Sequence, residues 1–319
     1  MCRPRLRHTE CAYYFGNSDA MLWYHYLTLF AVAFLAGAVN SVAGGGTLLT
    51  FPSLMWVAKA AQIVDFAKVA NATSTVALWP AALSSFWGYR GQMPSDRRET
   101  MLLAAPSFVG GTIGAILLTM TDDAAFEHLV PWLILTATLL FVAQAPLAKL
   151  RQHWAERTRA ESTPPLRGES ATESRGTVCS LDDPGYGAPE VKTTSARWTA
   201  VVLLQFFVGI YGGYFGAGIG ILMLAAFGWL GFTNIHHMNA LKNLIGACIN
   251  GIAAAIFIAQ GLVHWPLALW MAAGSILGGL AGAGLAQRIG QAWVRRTVIA
   301  VGFAATAWTL YNLEHGANA

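Results

Sequence analysis

Charged residues are scarce in this chain. Asp, Glu, Lys and Arg together supply 11% of its 319 residues, against roughly 25% in a soluble domain. No Asp or Glu falls inside any of the long apolar runs, which excludes a carboxylate pair buried there for acid–base work. The patterns H-E-x-x-H and G-x-S-x-G are absent, as is the phosphate loop G-x-x-x-x-G-K-[ST]. Those absences remove the corresponding hydrolase signatures and an ATP-driven pump built on that loop. The four cysteines (Cys2, Cys11, Cys179, Cys248) form neither C-x-x-C nor a zinc spacing, so no metal and no cofactor is expected. His236 and His237 are adjacent, point apart on a helix and make a poor metal pair. The net charge of +4 comes without a basic, aromatic-interleaved cluster, so nucleic acid is not an expected partner.

What the chain has instead is apolar length. It is 55% hydrophobic, with mean hydropathy +0.48, 33 Gly and 12 Trp. Runs of about twenty apolar residues recur, each long enough to cross a bilayer as a helix. Trp at interfaces and Gly within helices fit the same reading, and the lipid bilayer is the first partner. The apolar segments are 21–43, 47–58, 66–87, 101–120 and 129–148, then 198–215, 219–230, 240–259, 265–286 and 297–311. Residues 1–20 read as an N-terminal tail. Arg3, Arg5 and Arg7 before an apolar run resemble a signal peptide, but the glycine segment that follows is echoed later in the chain and so belongs to the mature protein. Residues 149–197 are rich in Glu, Arg, Ser, Thr, Pro and Gly and read as a disordered cytoplasmic linker. This divides the chain into a first transmembrane repeat (21–148), the linker, a second repeat (198–313) and a C-terminal tail (314–319).

Sliding the second half back by 172 positions superposes Gly37 on Gly209, Gly44 on Gly216, Gly46 on Gly218, Asn71 on Asn243, Pro94 on Pro266 and Gly110 on Gly282. Matches at Gly, Asn and Pro carry weight because those residues serve particular backbone or polar roles. The loop 89–99 holds Arg90, Arg97 and Arg98, while its counterpart near 261–265 holds no Lys or Arg. Conversely, the loop 121–128 holds Asp122, Asp123 and Glu127, while its counterpart near 287–296 holds Arg288, Arg295 and Arg296. Basic loops stay cytoplasmic, so equivalent loops fall on opposite faces. The expected fold is an all-α polytopic membrane protein of two inverted repeats, with broken or re-entrant glycine-rich helices and about 8–10 membrane segments. For the segment count to close, each glycine-rich pair enters the membrane and returns on the same side.

The breaks themselves are the conspicuous feature. "NSVAGGGTLLT", residues 40–50, puts Gly44, Gly45 and Gly46 in an apolar run, and "GIYGGYFGAGIGIL", residues 209–222, repeats the device. Each helical Gly costs roughly 1 kcal/mol against Ala, and in lipid a freed N–H or C=O finds no water. Broken helices at matching positions of inverted halves point to a transporter binding site. The exposed N–H groups and positive dipole end of a restarting helix suit an anion. The plainer reading, close packing through small residues, is preferred for Gly37, Gly110, Gly111, Gly114, Gly278, Gly279, Gly282 and Gly284. For the matched breaks a solute site is preferred. Its expected residues are Asn40, Ser41, Gly44, Gly45, Gly46, Thr47, Asn71, Gly216, Gly218 and Asn243, placed near mid-membrane. Lys68 and Lys242 are electrostatic candidates, with snorkelling to the interface as their alternative. The asparagines bind solute or pin neighbouring helices.

The stretches "GAVNSVAGGGTLLTFPSL" with "AKVANATS", and "GIYGGYFGAGIGILM" with "NALKN", resemble the TauE/SafE family of anion permeases, the sulfite exporters. The resemblance covers nearly the whole chain outside the N-terminal tail and the linker. It implies a secondary transporter of sulfite, sulfonates or other small organic anions in the bacterial inner membrane. The linker is longer than the family usually has. A homo-oligomer is compatible with this reading. The competing classes are a membrane-embedded enzyme and a membrane scaffold or receptor, and anion flux without chemical change of the anion separates a transporter from an enzyme.

Overall fold

The computed structural model describes residues 23–316 apart from 43, 61–65, 90, 92–96, 163–194, 231, 233 and 290. Among the described residues the regular structure is helical and no strand occurs. The first half holds α1 (Trp23–Val42), α2 (Thr47–Ala60), α3 (Ala67–Tyr89), α4 (Arg97–Met120) and α5 (Asp123–Ser162). The second holds α6 (Ser195–Tyr214), α7 (Ile219–Trp229), α8 (Ile235–Ala259), α9 (Trp265–Ile289) and α10 (Gln291–Gly316). Segments 98–120, 123–143, 237–259 and 265–282 are each long and apolar enough to span a bilayer, and 198–214, 219–229 and 298–312 are shorter apolar helices. Pro52, Pro80 and Pro106 lie inside helices, which membrane helices tolerate because neighbouring groups take up the freed carbonyl.

Several helices run past their expected bounds. Helix α5 continues past Ala148 to Ser162, so the first part of the expected linker is helical. "LAKLRQHWAERTRAES" is built largely of good helix formers, and a polar composition argues against tertiary burial rather than against a helix. Helix α10 likewise runs to Gly316, into the expected C-terminal tail. The N-terminal tail and linker residues 163–194 lie outside the described residues.

Side-chain contacts fix which helix ends share a side. The His25 ring stands 5.7 Å from the Trp56 ring, joining the start of α1 to the end of α2. At the same end Lys59 donates to Asn312, Lys68 pairs with Asp123 at 3.3 Å, and the His264 N–H donates to Thr73 Oγ1 at 3.0 Å. Burial holds the His264 imidazole below its ordinary pKa, and its Nδ1 accepts the Leu267 N–H in the first turn of α9. At the opposite end Leu103, Val201, Leu230 and Met238 join one apolar cluster, which gathers the starts of α4, α6 and α8 with the end of α7. Thus α1–α2 leaves and returns at one end, and α6–α7 leaves and returns at the other. This arrangement is consistent with two inverted repeats.

Packing partners obey the same exchange of halves. Helix α1 packs on α9 as α6 packs on α4; α3 meets α9 as α8 meets α4; α3–α8 and α5–α10 map onto themselves. The glycines at the crossings correct the register. A Cβ at Gly278 would stand 1.9 Å from Phe34 O, and one at Gly110 would stand 2.2 Å from Phe206 O. A Cβ at Gly282 would stand 2.9 Å from Ala38 O, and one at Gly114 would stand 2.0 Å from Ile210 O. Phe34 and Ala38 match Phe206 and Ile210 at the 172-residue offset, but the glycines match only when offset by 168. The equivalent of Gly110 is therefore Gly278, not Gly282, and four residues are lost between the preceding helices of the second half. These glycines let backbone lie against backbone.

Candidate functional site

Both breaks are closed in the same way. The Gly44 N–H donates to Val39 O at 3.3 Å and the Gly216 N–H to Tyr211 O at 3.2 Å, each reaching five residues back. Gly44 and Gly216 then turn left-handed, with φ of 73° and 80°, and Gly218 follows at 78°. A side chain is strained there, which accounts for glycine at these positions. The helices resume at Thr47 and Ile219; the Leu48 and Leu49 N–H groups donate to Gly45 O and Gly46 O, and the Ile221 N–H to Gly218 O, so only the N–H groups ahead of these remain for other acceptors.

The breaks interlock. A Cβ at Gly44 would stand 2.7 Å from Gly220 Cα, so the first break rests on the opening turn of α7. From Gly216, the same construction lies 3.8 Å from Thr47 Oγ1 and from Asn250 Oδ1. The Phe51 and Phe215 rings meet edge-on at 5.4 Å. Helix α5 backs both breaks: the Phe141 ring fills the space beside Gly45, and Ala137 and Leu140 border Gly218. Gly46 lies against Ala36 O. The first arms, α1 and α6, have 20 residues each, about 30 Å. Tyr214, the last residue of α6, places its hydroxyl 3.3 Å from Thr121 Oγ1 at the α4–α5 turn.

Polar side chains from one half hold the broken ends of the other. Asn71, on α3, donates from Nδ2 to Tyr214 O at 3.0 Å, at the end of α6. Lys242, on α8, donates from Nζ to Asn40 O at 3.4 Å and Ser41 O at 3.3 Å, at the end of α1. Carbonyls at a helix C-terminus lack partners within the helix and carry the negative dipole end, so an amide and an ammonium both suit them. Ser41 is buried and its Oγ donates to Ala38 O at 2.9 Å. Thr47 is buried beside Gly216.

Of the expected residues, Asn40, Ser41 and Lys242 come together at the end of α1. Gly44, Thr47 and Gly216 come together where the breaks touch, while Gly45, Gly46 and Gly218 face packed side chains or backbone. Lys68 stands apart from the junction, its ammonium on Asp123. Asn71 and Asn243 occupy equivalent places but differ in bonding: Asn71 caps α6 through Nδ2 while its buried Oδ1 has no hydrogen-bond partner, and the buried Asn243 Nδ2 has none, among the described residues. Sequence reasoning missed Asn239, Tyr211 and Asn250. The Asn239 Oδ1 and Tyr211 hydroxyl are buried without partners among the described residues. A readable signal was available, since Asn239, Asn243 and Asn250 fall at i, i+4 and i+11, one face of α8.

A helical membrane protein whose two halves each carry a broken, returning helix, with the breaks meeting in the core, has the architecture of a transporter. The chain matches the model of the sulfite exporter TauE/SafE family over residues 29–309, and it belongs to that family. It is 26% identical over 285 residues to a probable membrane transporter protein of Haemophilus influenzae, covering 89% of this chain and 94% of that one. It is 27% identical over 288 residues to the probable membrane transporter protein YfcA of Escherichia coli K12, covering 90% of each. It is 24% identical over 268 residues to the probable membrane transporter protein YunE of Bacillus subtilis, covering 83% of this chain and 89% of that one. No solved structure matches. The chain is thus a multi-pass membrane protein of a transporter family.

Proposed function

We propose that this protein is a secondary transporter of small sulfur-containing or organic anions, of the sulfite and sulfonate class, and that the solute binds where the two breaks meet. The observation that carries the reading is the interlocked pair: α2 and α7 restart beside each other, Gly44 against Gly220 and Gly216 beside Thr47. Two helix N-termini directed into one protein core supply backbone donors and positive dipole ends for an anion. The unpartnered Asn243 Nδ2 adds a donor and Lys242 adds a cation. A thermal-shift screen of the purified protein with sulfite, sulfate, thiosulfate and small sulfonates tests the reading; stabilisation by at least one of them, and not by chloride, is expected.

The two asparagines separate binding from pinning. Asn71→Ala leaves Tyr214 O unpaired at the end of α6 and is expected to lower stability by about 1–3 kcal/mol, the cost of a buried group left unsatisfied. Asn243→Ala removes a donor with no protein partner, so stability is expected to hold while solute affinity falls by about 1 kcal/mol or more. Melting curves with and without the stabilising anion read both quantities. Equal stability losses with unchanged affinity would remove the asparagines from the site.

Orientation follows from charge. The end bearing Arg97, Arg98 and Arg295 is assigned to the cytoplasm and that bearing Asp122, Asp123 and Glu127 to the periplasm. Single cysteines replacing Arg97 and Arg295 are expected to resist a membrane-impermeant maleimide added to intact cells, and one replacing Asp122 to react. Labelling at both 97 and 295 from outside contradicts the arrangement.

A further inference from the structure

From Val191 to Leu313 the chain contains no Asp or Glu, yet this half buries a lysine. Lys242 is 3% exposed, and its Nζ meets only the carbonyls of Asn40 and Ser41 in the contacts above. The helices packed against α8 are α1, α3, α4, α6 and α7. Helix α1 brings Tyr24, His25 and Tyr26, all in its first turn, at the end remote from Asn40. Helix α3 brings Lys68, paired with Asp123, and Tyr89. Helix α4 brings Arg97, Arg98 and Glu99 in its first turn, where Glu99 has an interaction of its own. Helix α6 brings Arg197, Tyr211 and Tyr214, and α7 brings no titratable group. Helix α8 itself adds His236, His237 and Cys248, while Asp65 and Asp96 precede α3 and α4 in the chain. No carboxylate lies within ion-pair distance of the Lys242 ammonium among the described residues.

An ammonium buried without a counter-ion is costly. The two carbonyls can accept from an amine, and accept more strongly from an ammonium. An anion arriving at the junction supplies the missing opposite charge. We propose that Lys242 is the proton carrier of this transporter: its neutral amine takes up one proton as one monovalent anion binds and releases it when the anion leaves, so that solute and proton move together. The step balances as amine plus proton plus anion giving an ammonium–anion pair, with no redox change. Empty and loaded sites are then both neutral, so neither carries uncompensated charge through the bilayer. The inference rests on the anion-transport reading above.

The test is calorimetric titration of the purified full-length protein with methanesulfonate, whose sulfonate does not titrate near neutrality, in two buffers of different ionisation heat. The series runs from about pH 6 to about pH 10, just below the ordinary lysine value. Uptake of about one proton per anion is expected on the alkaline side, with affinity falling about tenfold per pH unit there. Lys242→Arg keeps the positive charge at all pH values; it is expected to bind without proton uptake and with affinity independent of pH. Lys242→Gln is expected to bind more weakly throughout. Wild-type protein that binds methanesulfonate with no proton uptake overturns the carrier role and leaves the transporter reading standing, and needs no variant to fold. Lys242→Arg with wild-type proton uptake overturns it as well. No binding by wild-type protein of methanesulfonate, sulfite or thiosulfate contradicts the anion reading itself.

Discussion

Gly44→Ala is expected to destabilise the protein by about 2–5 kcal/mol and to abolish transport, and Gly44→Val to prevent assembly. Two costs add at this position. The left-handed backbone, φ 73°, costs a non-glycine residue about 1–2 kcal/mol, and a β-branched one more. The new Cβ also stands 2.7 Å from Gly220 Cα, a backbone atom that moves only if the first turn of α7 moves, and overpacking of this kind costs about 1–3 kcal/mol. Its repeat mate supplies the control. Gly216 has φ 80°, but a Cβ there finds its nearest neighbour, Gly212 O, at 3.2 Å. Gly216→Ala should therefore show little beyond the backbone cost, about 1–2 kcal/mol. Melting temperatures of the two variants in one detergent make the comparison, and equal losses would show that the breaks do not interlock as described.

Gly45→Val carries the second large effect. A Cβ at Gly45 would stand 2.0 Å from the Phe141 ring, which is fully buried. The variant is expected to lose transport and several kcal/mol of stability through that collision. Phe141→Ala alone leaves a cavity and costs about 3–5 kcal/mol. The double variant Gly45→Val, Phe141→Ala relieves the collision and partly fills the cavity, so it should be more stable than the sum of the single losses by about 1–3 kcal/mol, the usual coupling of contacting residues. Additive losses in the melting curves would mean that Phe141 does not occupy this space.

Glycine, proline and charge punctuate the chain strongly enough for the helices to be read from it. The segment expected to start at Thr47 does start there, as do those at Ile219 and Trp265, because each follows a glycine break or a short polar loop. The match of Gly44 with Gly216 was legible for the same reason: both are conformational requirements, visible as residue type. The α4–α9 register was not legible, because a four-residue loss between helices leaves no trace in an ungapped comparison. The partners of Lys242 and Lys68 were equally hidden. Two similar lysines in apolar helices differ only in what folds against them, the carbonyls of Asn40 and Ser41 for one and Asp123 for the other. These contacts join residues far apart in sequence, or set at opposite ends of a helix pair, and no local pattern encodes them. The extension of α5 was missed because composition reports burial, whereas helix formation at a bundle's edge follows propensity.

Flux tests the central claim most directly. Wild-type protein in liposomes, supplied with labelled sulfite and separately with a labelled alkanesulfonate, should move at least one of them down its gradient and leave it chemically unchanged. Asn243→Ala should reduce that flux by raising the concentration needed for half-saturation about fivefold or more, the equivalent of one lost hydrogen bond. Anion flux by wild-type protein that is indistinguishable from that of empty liposomes, or conversion of the anion without its movement, contradicts the account.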